Sequence, residues 1–105
     1  MCDIWRGYIT QRLLWDTQYH MCFTAPTAIQ ERNKHDIMKD FQEELDLYLK
    51  VPALIDFLIK WRLPHSTTEE NLIYLYDSLI QKNFIGQQEK ELIRAWVHDL
   101  QKITL

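Results

Sequence analysis

Apolar residues recur at intervals of three and four along most of this chain. Ile4, Trp5, Tyr8, Trp15 and Tyr19 share one side of a helical wheel, and Ile9 and Leu13 widen it. That spacing predicts a first helix from Asp3 to about His20. Gly7 lies inside it and costs roughly 1 kcal/mol relative to alanine. The pattern then breaks at "MCFTAPTAIQERN". Pro26 disfavours helix at Ala25, Cys22 to Thr24 read as a short extended piece, and long loops in small domains are often functional. "HDIMKDFQEELDLYLK" resumes a helical pattern through Ile37, Phe41, Leu45 and Leu49, with Asn33 and Asp36 as starting caps. Pro52 suits the first turn of a third helix, "PALIDFLIKW". That segment is apolar nearly all round and is expected to be the buried one.

Pro64 ends the third helix, and "HSTTEE" offers two overlapping capping boxes, Ser66 with Glu69 and Thr67 with Glu70. A fourth helix carries Leu72, Leu75, Tyr76, Leu79 and Ile80. Gly86 punctuates before a fifth, striped by Leu92, Ile93, Trp96, Val97, Leu100 and Ile103. Stripes of this kind cover one another in a bundle. The expected fold is all-α: about five helices in one module over residues 1–105, with a short extended segment near residues 22–24.

Composition narrows the function classes. The 105 residues are 47% hydrophobic with four Trp, which argues against disorder. Two Gly and three Pro are too few for the turns of a sandwich or barrel. The net charge is -3 with scattered Lys and Arg, so no nucleic-acid partner is expected. No apolar run is long enough for a membrane span, and an opening that contains Asp3 and Arg6 does not read as a signal peptide. Cys2 and Cys22 leave one bridge or two free thiols equally open.

Candidate chemistry is sparse. Arg12 falls among Trp5, Tyr8 and Tyr19, where a guanidinium can grip a phosphate or carboxylate. Its alternative is to pair with Asp16 one turn on and lay its stem over the aromatics. Asp36, Asp40 and Glu43 align along one side of the second helix, a pattern open to a divalent cation or to a solvated face shared with Lys39, Asp46 and Lys50. Glu44 and Asp46 are two residues apart and diverge on a helix. Leu47 lies on this polar side. Of His20, His35, His65 and His98, only His20 has a close metal-type neighbour, Cys22, and no second pair matches zinc spacing. No phosphate-cradling glycine loop or nucleophile motif is present.

A family resemblance adds what the residue types alone do not. "DIWRGYITQRLLW", "TAPTAIQERNKHD", "FQEELDLYLKVPALIDFLIKW" and "FIGQQEKELIRAWVHDLQKI" resemble, in order, stretches of the STELLO-like family of glycosyltransferases. The resemblance implies the C-terminal helical portion of a longer protein. It implies that glycosyl transfer from a nucleotide sugar belongs to that longer protein, whose members are similar to Golgi enzymes with a membrane anchor and an α/β nucleotide-sugar domain. The implied setting is the Golgi lumen for a full-length member and otherwise soluble. The implied partner is the nucleotide-sugar-binding domain or a protein partner. No cofactor is expected in this chain, although a divalent cation belongs to a full-length relative. Within the resemblance Asp3 is the candidate base, and its alternative is a plain helix cap. Trp5, Arg6, Gly7, Tyr8 and Arg12 are candidate substrate contacts: a sugar platform at Trp5, charge balance for a leaving diphosphate at Arg6 or Arg12, and close approach at Gly7. A non-enzymatic helical interaction module is the alternative function, given four Trp and the acidic second helix. Without a nucleotide-sugar domain to pack on, the first helix is expected to be the least covered.

Overall fold

The computed structural model of the chain describes residues 3–64 and 66–103. Five helices follow in order: α1 Asp3–Leu14, α2 Ile37–Glu43, α3 Leu45–Lys60, α4 Thr68–Gln81 and α5 Gln88–Ile103. The fold is a small all-α bundle. Among the described residues no strand forms, and residues 22–24 carry no regular structure. Cys2 and His65 lie outside the described residues.

α4 is the centre. Leu72, Leu75, Tyr76, Leu79 and Ile80 are all buried, as their spacing predicts. Leu54 of α3 joins Leu75 and Leu79 as the largest fully buried side chains. Thr67 caps α4, its hydroxyl oxygen accepting from the Glu70 N–H at 3.2 Å. The helix ends in a Schellman turn: the Asn83 N–H donates to Ile80 and the Phe84 N–H to Leu79, at 2.9 and 3.0 Å. Asn83 takes the left-handed conformation, φ 59°, that this turn demands. The turn sends Phe84 and Ile85 back toward the core and lets α5 pack on α4 through Ile93 and Val97. Leu92, Trp96 and Ile103 of the same stripe face outward.

Four expectations need correction. First, α1 stops at Leu14 rather than near His20. Thr17 turns the chain back, its N–H and its hydroxyl both donating to the Leu14 carbonyl at 2.9 and 2.8 Å. Trp15 and Tyr19 therefore leave the α1 stripe and are exposed. Second, the break in the middle of the chain falls at Glu44, not at Pro52, which sits inside α3 on its exposed side. Third, α3 buries one face only. Leu47, expected on a polar side, is buried with Leu54 and Leu58, whereas Leu45, Tyr48, Leu49 and Ile59 are exposed. Fourth, α1 is not left bare: Trp5, Ile9 and Arg12 are buried against α3 and α4, and Ile4 is the large apolar residue of α1 left exposed.

α2 contributes no buried residue and touches only α3. Its start is fixed by Asp36, whose Oδ1 accepts from the Met38 and Lys39 N–H groups at 3.1 and 3.2 Å. The stretch from residue 15 to residue 36 runs between α1 and α2 without regular structure.

Candidate functional site

An open cleft of about 720 Å³ lies where α1 begins. Asp3, Ile4 and Trp5 of α1 form one wall, and Glu43, Glu44, Asp46 and Leu47 at the α2–α3 junction form the other. Arg32 enters from the long connection, and Phe84, Ile85 and Gly86 from the turn after α4. The break at Glu44 sets this geometry. Glu43, at the end of α2, and Asp46, in the first turn of α3, both line the cleft beside the start of α1.

Asp3 is the first residue of α1, where its charge favours the helix dipole. Its Oδ1 accepts from Arg6 Nη1 at 3.0 Å, and both side chains remain well exposed. Trp5 behaves differently. It is 4% exposed and packs edge-on against Phe84, with ring centroids 6.5 Å apart. Its indole N–H is buried without a hydrogen-bond partner among the described residues. Trp5 thus forms the floor under the cleft, and its face does not lie open as a stacking platform.

The other candidates diverge around α1. Arg6 lines a separate hollow with Tyr76, Glu89 and Trp96. No atom outside the helix's own backbone approaches within 4 Å of where a Gly7 Cβ would stand, so no neighbouring side chain of this chain requires a glycine there. Tyr8 and Arg12 lie on a third side, against Ile55, Leu58 and Ile59 of α3. Of the six candidates, the cleft gathers Asp3 and Trp5.

Arg12 is committed within the bundle. Nε donates to the Leu58 carbonyl at 2.8 Å, Nη2 to the Trp61 carbonyl at 2.6 Å and Nη1 to Asp16 at 2.6 Å. The guanidinium also sits over the Trp15 and Trp61 rings at 5.5 and 5.6 Å. The Asp16 pairing is one of the two readings its sequence allows. The two carbonyls are an addition, and they lie at the C-terminal end of α3, where helix carbonyls lack internal partners and a cation is favourable.

Four carboxylates and one guanidinium line the cleft, and three of the carboxylates are paired at its rim, Asp3 with Arg6, Glu43 with Lys39 and Asp46 with Lys50. Among the described residues no group of three or more His, Cys, Asp or Glu is arranged to hold a metal ion. Cys22 is a free, exposed thiol.

The family model for STELLO glycosyltransferases matches residues 1–105. The chain belongs to the STELLO glycosyltransferase family. It is 33% identical over 100 residues to the Arabidopsis thaliana protein named "Probable glycosyltransferase STELLO1", a match covering 93% of this chain and 12% of that protein. It is 30% identical over 100 residues to "Probable glycosyltransferase STELLO2" from the same plant, with the same coverage. The chain thus spans about an eighth of the length of these STELLO relatives. No solved structure matches it. No helix among the described residues is long and apolar enough to cross a membrane.

The STELLO-like stretches explain residues that a wheel does not single out. Each of the four supplies part of the cleft: Asp3 to Trp5 from the first, Arg32 from the second, Glu43 to Leu47 from the third, and Phe84 to Gly86 from the fourth. Arg32 and Ile85 have no periodic or spacing signal of their own.

Proposed function

We propose that this chain is the C-terminal helical portion of a STELLO-type glycosyltransferase and provides the acceptor side of its active site. The observation that carries the reading is the convergence of four family-like stretches on one acidic cleft edged by Asp3. In the proposed step an acceptor hydroxyl lies against Asp3. Its oxygen attacks the anomeric carbon, and the carboxylate takes the hydroxyl proton. The bond from that carbon to the diphosphate breaks with inversion, and the nucleoside diphosphate leaves with the electron pair. Arg6 holds the Asp3 carboxylate at the helix edge, and Trp5 supports the cleft floor from within the core. The donor diphosphate is held by the α/β domain of the full-length protein, on the far side of the reacting carbon from these carboxylates. The setting is the Golgi lumen.

The acidic cleft makes this division of labour testable. Calorimetric titration of the chain with nucleotide diphosphate sugars and manganese is expected to show no binding tighter than millimolar. Micromolar, metal-dependent binding would place the donor site here and contradict the proposal. A second reading, a non-enzymatic helical interaction module, is favoured by Ile37, Met38, Phe41, Leu45, Tyr48 and Leu49, which are exposed along α2 and the start of α3. A stoichiometric partner captured equally well by the chain and by Asp3→Ala, with transfer by the full-length protein indifferent to that change, would favour the second reading.

A further inference from the structure

Between α1, α4 and α5 lies a hollow of about 280 Å³, separate from the cleft at Asp3. Tyr76 and Ile93 form its base, Leu92 and Trp96 its outer wall, and Arg6 and Glu89 its polar edges. Tyr76 is 8% exposed, and its hydroxyl makes no hydrogen bond among the described residues. Burial raises the Tyr76 phenol above its ordinary 10.0, with Arg6 lowering it and Glu89 raising it further. The hydroxyl therefore stays protonated at neutral pH, able both to donate and to accept. Trp96 is half exposed, so an indole face is open to a ligand at the rim.

We propose that this hollow binds one neutral pyranose ring. Three features select that class. The volume lies near the lower limit of small-ligand sites and suits a single ring. The walls are mostly apolar with few polar groups, as a ring with an apolar C–H face and a hydroxyl edge requires; Trp96 meets the face, and Tyr76 and Arg6 meet the edge. Arg6 and Glu89 carry opposite charges that offset each other, so the hollow has no net charge to draw an ion of either sign. Arg6 also bonds Asp3, so a ring in the hollow lies one helical turn from the cleft. The ring would then be a sugar unit of the acceptor, and that link alone rests on the role proposed for Asp3.

The test is titration of the chain with methyl β-glucopyranoside, methyl β-galactopyranoside and methyl α-mannopyranoside, followed by the indole N–H signals in two-dimensional NMR. At least one glycoside is expected to shift the Trp96 signal saturably, with a millimolar Kd. Trp96→Phe, which identifies that signal, and Trp96→Ala both keep the helical spectrum because the side chain is half exposed. Trp96→Ala and Tyr76→Phe are each expected to weaken binding about tenfold, the second while preserving the shape of the core. No saturable shift with any glycoside overturns the site. Affinity unchanged in both variants overturns it too, as does tighter binding of glucose 6-phosphate than of the glucoside. The readout is binding rather than transfer, so its failure leaves the role of Asp3 to the transfer assay.

Discussion

Arg12 ties three parts of the molecule together with one side chain. It donates to carbonyls 46 and 49 residues away and to Asp16 on its own side, from a position 5% exposed. Arg12→Ala would leave two carbonyls at the end of α3 facing a cavity. The expected loss is about 3 kcal/mol, since hydrogen bonds to charged groups and buried orphan acceptors each cost at least 1 kcal/mol. Arg12→Lys should recover less than half, because one ammonium cannot span the guanidinium fork. Urea denaturation decides between these values, and a loss under 1 kcal/mol for Arg12→Ala would show that the staple is dispensable. The sequence placed Arg12 inside an apolar arc and offered Asp16 as partner. It gave no sign of Leu58 or Trp61, because backbone acceptors carry no residue-type signature. Tyr76 gives a pH test. Its phenol titrates higher in the folded chain than its ordinary 10.0, chiefly through burial. The neutral form is thus favoured on folding, and this contribution is complete below pH 10 and lost as the pH rises through the raised value. Thermal midpoints should fall more steeply above pH 10 for the native chain than for Tyr76→Phe, and parallel curves would contradict that assignment.

Helix ends decided where this fold departs from its pattern. Thr67 and Asp36 were readable as caps because Ser, Thr and Asp side chains satisfy specific N–H groups at fixed offsets. Both caps form as spaced. Pro52 misled because proline fits a first turn and, at greater cost, a helix interior. The burial of Leu47, Leu54 and Leu58 on one continuous α3 face outweighs that cost. Glu44 breaks the helix without Gly or Pro, so the junction that shapes the cleft left no local mark. The turn at Asn83 is the other end that matters, since it delivers Phe84 to Gly86 to the cleft. Asn tolerates the left-handed conformation and β-branched residues do not. Asn83→Val is expected to cost about 1–2 kcal/mol, and Asn83→Gly to be neutral or stabilising, in the same denaturation assay. A tolerated valine would mean that the turn is not held in this conformation.

At the scale of the whole molecule the bundle is looser than its length suggests. The radius of gyration is 15.8 Å, against about 13 Å for a compact chain of 100 residues. The excess comes from residues 15–36 and α2, which bury almost nothing. Met21, Phe23, Ile29, Ile37, Met38 and Phe41 are all exposed there, an apolar surface of the kind that marks interaction sites. Periodicity overstated burial in α3 and α5, where Leu45, Leu49, Leu92, Trp96 and Ile103 keep helical spacing yet are exposed. The cleft was legible only as separate STELLO-like stretches, and the fold brings them to one place. The central claim, that this place serves glycosyl transfer through Asp3, is tested by transfer from a nucleotide sugar in a full-length STELLO-family protein carrying this segment. Asp3→Asn keeps the size and the helix start while removing the base. It is expected to lower the rate of transfer by about 10²–10⁴-fold, with donor affinity and helical content unchanged. Transfer at the native rate by Asp3→Asn would contradict the account.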